Sequence, residues 1–376
     1  MKIPLSKPWI NEDDIRAVEQ VMKTRYLSLG SKLPEFEQVL AGIAHRRYAV
    51  AVNSGTSALH LIIRSLGIKD GDEVITTPFS FIASSNAILF ERAKPVFVDI
   101  KKNTYNIDAG LIERVITEKT KAILAVDVFG QPADWDTLTK IAKKYNLFLI
   151  EDSAEAIGSE YKGKPAGSFG DAAIFAFYPN KQITTGEGGV VLTDNESIAA
   201  LSRSMRNQGR GEGDNWLQHT RLGYNYRVSD INCALGISQA KRLDEIVKRR
   251  TDAAKLYNEK LRGVDEVDTS YVSPDVNRMS WFVYVIRMSE KFGKTDRDNI
   301  IKLLEKKGVQ ARNYFAPIYL QPFYREKFGY KKGDFPITDF VSDRTIALPF
   351  FTEITEKEVN YVVERLKESI REVSFS

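Results

Sequence analysis

An α/β fold is predicted, with a mainly parallel sheet between layers of helices and a smaller α+β C-terminal domain. Three observations predict it. Short apolar runs recur from about residue 49 to residue 150; amphipathic stretches opened by Ser or Asp lie between them; and the pattern changes after Asp230 to charge-rich helices.

The apolar runs are Ala49–Val52, Glu73–Thr76, Pro95–Val98, Ala122–Val126 and Leu147–Ile150, which read as buried strands. Helices are expected at Ser57–Leu66, Ser80–Phe90, Asp108–Ile116 and Asp134–Tyr145. Strands alternating with helices imply parallel pairing, with helices on both faces. The turn-rich segment Gly209–Asn215 reads as a loop. Beyond Asp230 a long helical stretch runs through Leu261. A strand-like segment at Trp281–Arg287 follows, then helices near Arg297–Lys307 and Glu356–Glu368. The expected division is a large domain with an N-terminal arm over residues 1–245 and a small domain over residues 246–376.

At 376 residues and 43% hydrophobic content, the chain is long enough for a substantial core. Its net charge of +4 comes from interspersed acids and bases, which gives no footprint for nucleic acid. The start, Met1-Lys2-Ile3-Pro4-Leu5-Ser6, carries no secretion signal and no later apolar run approaches membrane-spanning length, so a membrane partner is not expected. Cys233 alone cannot build an intramolecular disulfide, and His45, His60 and His219 lack metal-ligand spacing. A cytoplasmic location without a metal is the expectation.

Three segments carry chemistry. In Asn53-Ser54-Gly55-Thr56-Ser57-Ala58-Leu59 an apolar strand gives way to a helix start, where free N–H groups attract an anion and glycine permits close approach. A plain helix cap would read the same way. In Glu151-Asp152-Ser153-Ala154-Glu155, two acids end an apolar strand, at the carboxyl edge where open α/β sheets bind ligands. Either acid could pair with a protonated pyridine nitrogen, and Asp152 could equally cap a helix. Lys181 follows the aromatic strand Ala172–Phe177 and precedes Gly186-Glu187-Gly188-Gly189. Lysine amines form Schiff bases with carbonyl cofactors, and partial desolvation favours the nucleophilic amine.

Several ordered motifs together resemble the nucleotide-sugar aminotransferases of the DegT and StrS family. They are Asn53–Thr56, Pro78–Phe81, Val126–Pro132, Glu151–Ala156, Gly167–Asp171, Lys181 with Gly186–Gly189, and Leu222–Arg227. The resemblance implies a fold-type I transferase that uses pyridoxal 5′-phosphate (PLP). By position it makes Lys181 the cofactor lysine and proton shuttle, and Asp152 the acid on the pyridine nitrogen. Glu155 falls near the ring 3-hydroxyl, and Phe81 (or Phe79) stacks on the ring. Gly55 and Thr56 would bind the phosphate, joined by Asn225 from the partner subunit, which implies a homodimer with shared sites. Ala176 stands where many relatives carry a phosphate-binding serine, which leaves more of that task to Thr56 and Asn225.

The implied reaction takes an amino group from L-glutamate and delivers it to a nucleotide-linked keto-sugar. Thr184–Gly189 is most similar to the makers of 4-amino sugars, perosamine synthases among them, which points to a 4-keto-6-deoxyhexose. Tyr178, His219, Arg227, Arg312 and Tyr314 are candidate substrate contacts, since Arg binds diphosphate and aromatic rings stack on bases and sugars. Alternatives are a keto-sugar dehydratase, whose relatives replace the lysine with histidine; amination of another cyclic ketone such as a keto-inositol; and a non-catalytic sensor, which would not need Lys181 and Asp152. A dinucleotide-dependent oxidoreductase lacks its Gly-x-Gly-x-x-Gly fingerprint.

Overall fold

The computed structural model describes residues 1–211, 213, 215 and 217–374; Glu212 and Asp214 of the expected loop at Gly209–Asn215 lie outside them. The strands are β1 (Tyr48–Val52), β2 (Glu73–Thr76), β3 (Lys94–Phe97), β4 (Thr120–Val126), β5 (Phe148–Asp152), β6 (Glu160–Tyr161), β7 (Lys164–Pro165), β8 (Ala172–Ala176), β9 (Gly189–Thr193), β10 (Val267–Asp268), β11 (Val276–Arg278), β12 (Tyr284–Met288) and β13 (Thr345–Leu348). The helices that matter below are α1 (Glu12–Met22), α2 (Lys32–Ile43), α3 (Gly55–Ser65), α4 (Ala83–Phe90), α5 (Ala109–Ile112), α6 (Trp135–Tyr145), α7 (Glu196–Arg206), α8 (Asp230–Ala240), α9 (Leu243–Lys260) and α10 (Lys294–Lys306), with the C-terminal helix at Glu356–Ser374.

Seven strands form one sheet in the order β1-β9-β8-β5-β4-β2-β3. The pairs from β3 to β8 are parallel, and β9 alone runs against its two neighbours, β8 and β1. Alternation along each strand fills both faces. Val50, Val52, Leu124, Ile150, Ile174 and Val191 pack under Leu59, Ile62 and Ile63 of α3. The intervening Ala49, Ala51, Phe175, Val190 and Leu192 pack on Leu33, Phe36 and Leu40 of α2, and Ile123 and Leu149 on Trp135 and Leu138 of α6. This is the fold predicted from the alternating pattern.

The stretch after Asp230 is two helices, α8 and α9, broken at Lys241–Arg242, and the strand expected at Trp281–Arg287 begins at Tyr284. α9 spans the proposed 245/246 domain boundary. Beyond it β10-β12-β13 form a second sheet, packed with α10 and the C-terminal helix around Tyr284, Ile286, Ile300, Leu304 and Leu366. Ile3 of the N-terminal arm joins that C-terminal cluster, and its N–H donates to Gly308 O at 2.8 Å.

Gly189 shows why this sheet needs its glycines. A Cβ there would lie 2.4 Å from the Ser54 carbonyl, immediately before α3. Gly189→Ala is therefore expected to destabilise the protein by about 2 kcal/mol or more, read as a fall in thermal midpoint with weakened cofactor loading.

Candidate active site

Carboxyl ends of parallel strands bring the predicted residues together. At the end of β5, alternation sends Glu151 and Asp152 to opposite sides. Glu151 accepts from the N–H groups of Gly167 (2.6 Å) and Phe169 (2.7 Å), and it lies 2.6 Å from Ser153 Oγ, which also reaches Asp127 Oδ2 at 2.6 Å. It holds a turn of backbone. Burial pushes both Glu151 and Asp127 carboxyls up, Asp127 also through the Glu151 charge.

Asp152, 3% exposed, accepts from Ser84 Oγ of α4 at 2.7 Å and from Ala154 N–H at 3.2 Å. No helix follows it, so the capping alternative falls away. Burial raises its pKa, opposed by these donors and the Lys181 charge. Glu155 accepts from Phe129 N–H at 2.9 Å. Burial raises its pKa too, against the pull of Lys181.

Lys181 sits in the loop between β8 and β9, where a turn closes from its N–H to Tyr178 O (2.9 Å). Its side chain is 12% exposed, with Nζ 3.5 Å from Glu155 Oε1 and 3.9 Å above the Phe282 ring centroid. Amine, two carboxylates and an aromatic floor thus share one buried space. Tyr314 joins them: its ring stacks near Phe282 and Phe315, and burial raises its phenol pKa.

Ser54 caps α3, its Oγ accepting from Ser57 N–H at 3.1 Å, and Ser57 Oγ donates to Asn53 Oδ1 at 2.7 Å. The capping reading therefore holds for Ser54 and Ser57. Gly55 and Thr56 stand at the helix start, half-buried, and a Cβ on Gly55 would come 2.7 Å from Ala176 Cβ. Of the two phenylalanines, Phe79 is wholly buried among Tyr105, Phe129 and Phe315, whereas Phe81 is 64% exposed.

Among the described residues, the other candidates form no side-chain hydrogen bond or ion pair with Lys181 within the protomer, although Tyr178 closes the backbone turn that carries it. Asn225 and Tyr178 are exposed. His219 contacts Gln208 O through Nδ1 at 2.8 Å, Arg227 donates to Asn207 Oδ1 at 3.1 Å, and Arg312 pairs with Glu305 of α10. Ser84, Phe129 and Phe282 were not singled out in the sequence. Ser84 lies just beyond the Pro78–Phe81 motif, which was the available signal; Phe282 sits in an apolar run that reads as core.

This donor set fits PLP. A lysine amine lies among buried acids, a second strand end supplies Asp152, and a helix N-terminus has a glycine whose Cβ position is closed by Ala176. Among the described residues no helix is long and apolar enough to cross a membrane.

A family model described as the DegT/DnrJ/EryC1/StrS aminotransferase family matches residues 8–367. A GDP-perosamine synthase from Escherichia coli O157:H7 is 36% identical over 367 residues, 97% of this chain and 98% of that protein. Among solved structures, PseC of Helicobacter pylori, an aminotransferase involved in the biosynthesis of pseudoaminic acid, superposes with a TM-score of 0.94 at 30% identity, covering 99% of this chain and 100% of that one. The PLP form of a putative sugar aminotransferase, Spr1654 from Streptococcus pneumoniae, gives 0.93 at 30% identity over 99% and 100% of the two chains.

Proposed function

This chain belongs to the DegT/DnrJ/EryC1/StrS aminotransferase family and is a PLP-dependent sugar aminotransferase; from that premise we propose that it transfers an amino group from L-glutamate to a nucleotide-linked 4-keto-6-deoxyhexose. The single observation that carries the site assignment is Lys181 Nζ between Glu155 and the Phe282 ring, with Asp152 buried at the neighbouring strand end. The perosamine-type acceptor is supported by the GDP-perosamine synthase relative. We place the reaction in the cytoplasm and its product in polysaccharide synthesis such as O-antigen.

When bound, PLP supplies an electron sink for cleavage of the bond to hydrogen at the donor Cα. Gly55 and Thr56 at the start of α3 would hold its phosphate, Phe81 would cover its ring, and Asp152 would pair with its ring nitrogen. Glu155 would meet the ring oxygen. Lys181 Nζ takes the proton from the donor Cα and returns one in the acceptor half-reaction, and the low exposure of its side chain keeps bulk water from competing. Asn225 would reach the phosphate of the partner subunit's site, which makes the working unit a homodimer. Tyr314 and Tyr178 are the aromatic candidates for the sugar side, with His219, Arg227 and Arg312 available to nucleotide phosphates across the same interface.

The test is the absorption spectrum of PLP-loaded protein. L-glutamate alone should shift the visible band of the bound cofactor into the ultraviolet, and nucleotide-linked 4-keto-6-deoxyhexoses should restore it. Restoration by a keto-inositol but not by any nucleotide sugar would overturn the substrate class; a band that no amino donor moves would favour dehydration or sensing.

A further inference from the structure

The segment that carries Asn225 is pinned from two directions. Tyr224 N–H donates to Met205 O (2.6 Å), Tyr226 N–H to Arg206 O (3.0 Å) and Gln208 N–H to Tyr224 O (2.8 Å). Asn53, just before α3, donates its main-chain N–H to Tyr226 O at 3.0 Å and its side-chain amide to Asn225 O at 3.3 Å. Side chains alternate along such an extended segment. The rings of Tyr224 and Tyr226 accordingly share one side, stacked at 4.9 Å and 11°, while Asn225 between them is exposed.

A buried histidine receives the two rings. His60 of α3 is 4% exposed, with ring centroids 4.7 Å from Tyr224 and 5.9 Å from Tyr226. Its Nδ1 lies 3.0 Å from the Tyr226 hydroxyl and its Nε2 2.7 Å from Glu91 Oε1, whose other oxygen accepts from Arg64 at 2.6 Å. A carboxylate paired with a guanidinium only accepts, so the assigned tautomer puts the proton on Nε2 and leaves Nδ1 to accept from Tyr226. Burial pushes the His60 pKa down, against the pull of Glu91, which favours this neutral form.

We propose that His60 is a positioning residue acting across the dimer: with Glu91 it clamps Tyr224 and Tyr226 so that Asn225 is presented outward to the phosphate site of the partner subunit. This rests on the shared-site reading above. A histidine that merely fills space would act on its own protomer, whose Gly55 and Thr56 begin the same helix. The two roles differ in which subunit feels the change.

The test uses co-expressed, differently tagged subunits, so that heterodimers are isolated and their PLP affinity is titrated by absorbance. His60→Gln homodimers should bind PLP about tenfold more weakly, the scale of one lost hydrogen bond, with unchanged sedimentation as dimers. Tyr226→Phe removes only the hydroxyl, keeps the ring stack, and should shift affinity in the same direction; it carries the test if His60→Gln does not fold. Paired with Lys181→Ala, a His60→Gln chain should yield a heterodimer in which one site regains wild-type affinity, because its lysine is native and the Asn225 facing it comes from the chain with an intact clamp. No regain would overturn the proposal. Asn225→Ala paired with Lys181→Ala serves as the control: if that pair regains affinity and His60→Gln does not, only the clamp fails, and if neither does, the shared-site reading falls with it.

Discussion

Lys181→Ala is expected to abolish turnover, with kcat falling by at least about 10⁴-fold, the upper range for a lost general acid–base group. The side chain is held at 12% exposure with its amine 3.5 Å from Glu155 and over the Phe282 ring, so neither solvent nor a neighbouring acid can take its place as a nucleophilic amine. Removing it also leaves Asp152 and Glu155, both already pushed toward the neutral form by burial, without the cation that opposes the shift. Single-turnover kinetics with glutamate, with melting curves as a check on folding, measure this. A folded variant within tenfold of wild type would sink the assignment.

Asp152→Asn should separate stability from function. Its carboxyl is 3% exposed and burial raises its pKa, so the folded cofactor-free protein holds its proton more tightly than the unfolded chain does. Stability from this group is therefore present at low pH and declines as pH rises through the ordinary carboxylate value toward the raised one. At neutral pH the cofactor-free Asn variant should melt at or above wild type, since a buried charge whose desolvation outweighs its donors has been removed. Loaded with PLP the order should reverse, because the variant lacks the partner for a protonated ring nitrogen, and kcat should fall by about 10²-fold or more. Equal gains in melting temperature from PLP in both proteins would count against the role given to Asp152.

The sheet was legible because its strands are buried on both faces and read as continuous apolar runs, several of them followed by a capped helix. Boundaries slipped where tertiary contact decides. Residues of Ser80–Ile82 precede α4 in a turn that presents Phe81, and the break between α8 and α9 at Lys241–Arg242 carries no proline or glycine to announce it. Lys181, Asp152 and Glu155, the proposed site, stand out in the sequence by their places after apolar strands. What engages Glu151 and Phe79 shows only in the structure: backbone amides around residues 167–169 for the first, a cluster of rings for the second. Phe282 under the lysine and Ser84 on Asp152 arrive from distant sequence; only Ser84 has a nearby signal, the Pro78–Phe81 motif. His60 read only as a histidine without metal spacing, since the tyrosines it meets lie far along the chain.

The pairing of β1 with β9, Val52 opposite Gly189, has a consequence for how the molecule is made. The edge of the sheet that carries the start of α3 closes only after the lysine loop has been synthesised, and the ring beneath Lys181 comes from residue 282, later still. Such non-local closure is slow relative to local helix formation. A nascent chain thus carries Gly55 and Thr56 well before it carries the lysine loop and the ring beneath it, so acquisition of cofactor colour during translation is expected to report a late stage of assembly.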